Sequence, residues 1–413
     1  MIDRFYLPGV TEEMLRPEAW YNASSGEELL MTPEEIEAFN LRCHKTPETR
    51  TGDLKDLPEY LDFGILDNYL KITEKGLPVH PVKAGSDGLI GLRFGVCIRR
   101  TQMMRYPFSD GAEEHPDEAL SAVHVNDSLA ISLMSDDGKW YYVQSGICSG
   151  FVPADTVVLF ESREEWQKEL DFKDFLVVTG CDIMLEKDSE NPEVSERSFE
   201  MGTRLEIAEG DIHLVSGRLS CYNYVVYIPA RRKDGKLSKI KALIPYSADV
   251  SVGYLPFTRK NLLEQAFKSL GRRYSFGGAE EGQDCSSYIR EVYSCFGFEL
   301  PRNTLRQAVM PAMKLHLEAL SVEKKEEALR KLPPGTILFF PGHEILYLGE
   351  KNGDFFAINN LGPSVLSKGA SVIRVYGVSI NSLKESARGN GQSWLEALTT
   401  AVVPFEGEEE WQE

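Results

Sequence analysis

Three textures of apolar and polar positions follow one another along the chain. Up to about residue 92, helical pieces alternate with polar loops. Thr32-Pro33-Glu34-Glu35 reads as an N-cap, a first-turn proline and two first-turn acids, with Ile36, Phe39 and Asn40 following. From 93 to 165 the pattern changes to short runs of period two, such as Leu129-Ala130-Ile131-Ser132-Leu133 and Trp140-Tyr141-Tyr142-Val143-Gln144. Turn signals such as Asp136-Asp137-Gly138 separate them, which predicts a small antiparallel barrel or sandwich. A second region of the same kind runs from 170 to 252, with Asp234-Gly235 as a hairpin turn. After Pro256 the helical period returns. Thr258 caps a helix with Leu262, Leu263, Ala266, Phe267 and Leu270 on one stripe, and Gly271 stops it. A second helix opens at Cys285, and a charged one covers 322–332. Pro333-Pro334-Gly335 then leads into strands at 336–340, 343–348 and 355–358. Helices first and strands after predict an α+β domain.

Composition narrows this picture only a little. At 413 residues the chain has room for two to four domains, and 42% hydrophobic residues supply an ordinary core. A net charge of -19 argues against nucleic acid or an anionic membrane as partner. The seven cysteines stand singly with no CxxC spacing, so no zinc site, metal or cofactor is expected and no disulfide framework. No apolar run is long enough to span a membrane, and the first residues lack a basic segment followed by an apolar one. A cytoplasmic monomer is therefore expected. A chain whose signal segment had been removed would read the same, which keeps the exported, cell-envelope alternative. The acidic end, 406–413, is expected to fray.

The candidate chemistry lies in Arg273-Tyr274-Ser275-Phe276-Gly277-Gly278, Asp284-Cys285-Ser286-Ser287 and Leu300-Pro301-Arg302-Asn303-Thr304. Cys285 opens a helix, where free N–H groups and the macrodipole favour a thiolate. Among seven histidines, His343 follows Pro341-Gly342 and starts a strand in the same domain, so it is the candidate base. Asn352-Gly353 predicts a hairpin that brings the end of the next strand beside His343. Asn359 is the first choice to hold the imidazole and Asn360 the second.

These residues, with Pro341-Gly342-His343 and Tyr347-Leu348-Gly349, make the chain resemble the NlpC/P60 cysteine peptidases. It is most similar to the subgroup with an N-terminal clip segment and two bacterial SH3-like (SH3b) domains. Arg100-Thr101, Met201-Gly202-Thr203 and Gly253-Tyr254-Leu255-Pro256 add to that likeness. The resemblance implies a multidomain α+β chain: a clip over 1–92, SH3-like β-barrels over 93–165 and 170–252, and a papain-like catalytic domain over 253–413. It implies a γ-D-glutamyl-L-diamino acid endopeptidase acting on muropeptides or peptidoglycan stem peptides with a free N-terminal L-Ala. Cys285 would be the nucleophile, His343 the base and Asn359 the orienter, at a position often His in the family. Tyr274 would lie near the oxyanion. Asp284, Ser286 and Thr304 would line the pocket for the substrate's amino end, with Tyr141 or Tyr142 reaching in from the first SH3b domain. Two residues depart from the family pattern: Phe276 stands for a usual Trp, and Glu344 for a usual apolar residue. The rival functions are a catalytically silent wall-binding SH3b protein and an amidase or acyltransferase on another amide.

Overall fold

The computed structural model describes residues 6–22, 26–62, 77–86, 88–108, 116–362, 365–367 and 372–407. The chain divides into two compact units. One combines Met1–Thr51, Leu255–Phe276 and Glu280–Glu413; the other combines Gly52–Tyr254 with Gly277–Ala279.

The first unit is an α+β body around a six-stranded antiparallel sheet. Its spatial order is Met313–His316, Thr400–Val403, Ile337–Phe340, His343–Lys351, Asp354–Leu361 and Gly377–Ser382. Local chemistry sets the elements. Asn352 and Gly353 both take positive φ (53° and 77°), which lets the central hairpin turn in two residues. Alternation along the strands then divides the side chains. Ile345, Tyr347, Phe355 and Ala357 join Leu338, Phe340, Leu329 and Trp394 in one core. Glu344, Leu346, Ile358 and Asn360 point to the other face. That face receives the helix Cys285–Ser294, which packs on both hairpin strands. Tyr288, Ile289, Val292 and Tyr293 are all fully buried there.

The N-terminal segment belongs to this unit. Its helix Pro33–Lys45 carries the anticipated cap: the Thr32 hydroxyl accepts from the Glu35 N–H, and the Glu35 carboxylate accepts from the Thr32 N–H. Asn40 pins it down, donating to the Gly297 carbonyl and accepting from the Glu299 N–H, both at 2.9 Å. Phe39 adds an edge-on contact with Phe298. Thr258 caps the helix Arg259–Lys268 through the Asn261 N–H.

The second unit is β-rich. Its larger sheet runs Val157–Leu159, Arg93–Cys97, Ser128–Ser135, Trp140–Gln144, Ser149–Pro153, Thr101–Met104, Ala119–Val123, with Val79–Pro81 paired to Ser128–Ser135. That path has two unjoined ends, so the described strands form an open sheet rather than the closed barrel expected. The other part has a three-stranded sheet (Arg204–Glu206, Phe175–Val178, Val250–Val252) and three two-stranded ladders. In the longest ladder, Asn223–Arg231 pairs with Leu237–Pro245 around the Asp234-Gly235 turn. A helix that the apolar pattern did not predict, Arg163–Leu170, is capped by Ser162 and buries Trp166 against Phe94. No helix among the described residues is long and apolar enough to cross a membrane. Of the acidic end, residues 408–413 lie outside the described residues.

Candidate active site

Cys285 is the first residue of its helix, and Asp284 is the N-cap. One Asp284 oxygen accepts from the Ser287 N–H at 2.8 Å, and the Ser287 hydroxyl accepts from the Asp284 N–H at 2.9 Å, closing a capping box. The Asp284 charge is met a second time by Arg302, whose Nη2 donates to Oδ2 at 2.7 Å and Nη1 to Oδ1 at 3.2 Å. Both side chains are buried. Ser286 completes the cluster, donating to Asp284 at 3.1 Å and accepting from Arg302 at 3.0 Å. Burial pushes the Asp284 carboxyl up, but Arg302 and the Ser287 donors outweigh it and hold it below the usual range. Asp284, Ser286 and Arg302 together fix the helix start to the loop that carries Thr304.

Thr304 opens the short helix Thr304–Gln307, capped by Asn303, and its hydroxyl stands 3.7 Å from the Cys285 sulfur. Tyr274, on the strand-like bridge to Gln283, feels the charges of Cys285 and Asp284. Burial, then those charges, raise its phenol well above the ordinary value, so it is a hydrogen-bond donor throughout the working range. Gly362 lets the chain pass Tyr274 closely: a Cβ there would lie 3.2 Å from the ring.

The hairpin decides between the two asparagines. Asn359 Oδ1 lies 2.9 Å from His343 Nε2, while Asn360 donates to the Gln283 carbonyl at 2.8 Å on the opposite face. The Asn359 amide is oriented by its own partners, because Nδ2 donates to Asn381 Oδ1 at 3.0 Å and to the Ser379 carbonyl at 3.3 Å. With Oδ1 turned to the ring, Nε2 must be the protonated nitrogen, and Nδ1 is left with a free lone pair. The ring packs beside Phe340 and Trp394, with centroids 5.4 and 5.9 Å away. Burial drives the imidazole down to about 4; the Asn359 bond works against this and the Arg388 charge works with it.

The sulfur itself departs from the expected thiolate. Burial first, then the Glu344 and Asp284 carboxylates, push Cys285 up to about 12, and the Thr304 hydroxyl and the Glu344 N–H offset only part. The macrodipole is outweighed by two acids and a lost hydration shell. Among the described residues no hydrogen bond joins the Cys285 sulfur to the His343 ring. The ring lies beside Phe340 and Trp394, and the Cys285 helix packs on the strands His343–Lys351 and Asp354–Leu361.

Tyr142 is placed in the second unit, buried in a cluster with Ile90, Leu133 and Phe151, where its ring meets Phe151 edge-on at 5.0 Å. Two residues gained importance that the pattern did not assign. Arg302 stood inside a noted motif, but nothing local pairs it with an aspartate 18 residues earlier. Glu344 was noted as unusual, and its burial beside the thiol is a result of register.

Residues 271–366 match the family model described as NlpC/P60 family. Among solved structures, the chain is similar to an NlpC/P60 endopeptidase from Photobacterium damselae subsp. piscicida. The TM-score is 0.73 at 16% identity, over 95% of this chain and 97% of that one. An NlpC/P60 family protein from Bacillus cereus ATCC 10987 aligns with a TM-score of 0.48 at 14% identity, over 75% and 99%. No curated protein matches the sequence. The family match runs from the Cys285 loop through the His343 hairpin, and residues 271–366 are therefore an NlpC/P60 family domain within a longer chain.

Proposed function

We propose that this chain is a cysteine endopeptidase that hydrolyses the γ-D-glutamyl-L-diamino acid bond of peptidoglycan stem peptides, in turnover or recycling of the cell wall. The observation that carries this reading is that one NlpC/P60 match spans both a cysteine at a helix start and an oriented His343–Asn359 pair. Cys285 is the nucleophile, His343 Nδ1 the base, and Asn359 the residue that fixes the tautomer. At neutral pH both reacting groups are uncharged, so the thiolate is made during attack and does not wait as half of an ion pair. As the sulfur adds to the carbonyl carbon, the thiol proton passes to Nδ1. The Cys285 N–H at the helix end and the Tyr274 hydroxyl are the donors suited to the developing oxyanion. The imidazolium then protonates the leaving amine, and water hydrolyses the thioester. The second unit, on this reading, supplies two SH3-like modules.

On this reading Asp284, Ser286 and Thr304 line the pocket for a free N-terminal L-Ala, with Asp284 also paired to Arg302. This is tested directly. The protein is incubated with L-Ala-γ-D-Glu-L-Lys, its diaminopimelate counterpart and N-acetylated forms of each, and products are read by mass spectrometry. Cleavage between D-Glu and the diamino acid, abolished by Cys285→Ala, is the expected result. No cleavage of any peptide by a protein whose Cys285 still alkylates would overturn the reading.

A further inference from the structure

Glu344 is a carboxyl group with no exposed surface, and among the described residues neither of its oxygens has a hydrogen-bond partner. Buried carboxyls are normally paired, because an unpartnered one forfeits its hydration. The groups around it explain why it is not simply neutralised. The cation whose charge reaches it is Arg302, which is already engaged by Asp284 in two hydrogen bonds. The remaining charged or titratable groups facing it, Asp284 and Cys285, come from the helix packed on its face of the sheet. Its backbone N–H points to the Cys285 sulfur. Across the strand Ile337–Phe340 it is paired with Phe339, and on the other neighbouring strand Asn360 shares its face. On its own strand, His343 points to the opposite face. Glu344 thus acts on the thiol from a position where the resemblance to the family implies an apolar residue.

We propose that Glu344 and Cys285 act as a proton-sharing pair, in which Glu344 is a positioning residue that holds the nucleophile as a thiol. The two groups cannot both be ionised in so small a dry volume without strong repulsion. A carboxyl is by nature a stronger acid than a thiol, so Glu344 ionises first. Each further step toward thiolate then either takes place against that negative charge or returns the proton to Glu344. In the second case the S–H bond breaks and a Glu344 O–H bond forms, with no net loss of a proton. Burial and the Asp284 charge raise Glu344 well above an ordinary carboxyl. The consequence is a pH signature. The thiolate fraction climbs tenfold per pH unit until Glu344 ionises, then levels off, because the proton merely moves between the two sites.

The inference rests on Cys285 being the nucleophile of the proposed reaction, but its test does not use that reaction. The rate of carbamidomethylation by iodoacetamide is followed on the full chain from pH 5 to 10.5, by mass spectrometry of the peptide containing Cys285. The wild type should show a logarithmic rate profile that rises, flattens and rises again. Glu344→Gln should give a single unbroken rise and react at least about threefold faster than wild type at pH 9. That factor is one pH unit of added thiolate discounted for its lower nucleophilicity. Glu344→Leu, which removes the carboxyl altogether, should match Glu344→Gln, and near-ultraviolet circular dichroism identifies whichever variant keeps its packing. Superimposed profiles for wild type and either folded variant would overturn the proposal, as would a flattened profile that survives both substitutions. Peptide hydrolysis is assayed separately. A wild type with the stepped alkylation profile but no hydrolysis would sink the proposed function and leave the pair standing.

Discussion

Replacing Arg302 with methionine, of similar length and no charge, tests what holds the Cys285 helix start in place. Arg302 makes two hydrogen bonds to Asp284 and one to Ser286, with both charged side chains buried. Removing one member of such a pair leaves the other charge stranded, at a cost of about 3–5 kcal/mol. At roughly 2–4 °C per kcal/mol for a unit of this size, the melting transition should fall by about 6–20 °C. The pH dependence separates this cause from a general packing loss. With Arg302 in place, Asp284 is held below its ordinary value, so its contribution is present above the unfolded carboxyl range and is lost as pH falls through the folded value. Without Arg302, burial dominates and pushes Asp284 above its unfolded value, so its ionised form opposes folding at neutral pH. The gap between wild type and Arg302→Met should therefore be widest near pH 7 and shrink toward pH 4, as Asp284 takes up a proton. The assay is differential scanning calorimetry at pH 7 and pH 4. Asp284→Asn, which keeps the capping oxygen, should recover part of the loss when combined with Arg302→Met. A pH 7 loss under about 2 °C, or an equal loss at both pH values, would refute the account.

Asn359→Ala should lower hydrolysis of the tripeptide by up to about 10²-fold by freeing the His343 tautomer, with the main effect on kcat; an unchanged kcat would remove Asn359 from the mechanism. Asn359→His, which can accept at the same place, should retain more activity than Asn359→Ala. Asn40→Ala removes one donor and one acceptor that tie the N-terminal helix to the Gly297 turn, and should destabilise the first unit by about 2 kcal/mol in urea titration while leaving Cys285 alkylation unchanged.

What could be read from the residues themselves was local. The Thr32 and Thr258 caps, the Asn352-Gly353 turn and the Cys285 helix start each depend on partners no more than four residues away, and each formed where the pattern put it. The histidine and asparagine of the hairpin were likewise legible, because a two-residue turn dictates which strand ends are neighbours. The partners that set the chemistry were not. Arg302 reaches Asp284 across a helix and a loop, a pairing no spacing rule encodes. Strand register alone sent Asn359 to His343 and Asn360 to Gln283, since one residue of shift exchanges the two faces. The same register buried Glu344 beside the thiol. A helix start by itself favours thiolate; two neighbouring acids and the loss of water reverse that preference. Sequence by itself determined which residues could do chemistry. Only the tertiary structure decided their charges, because desolvation and long-range ion pairing exist only once the chain is packed.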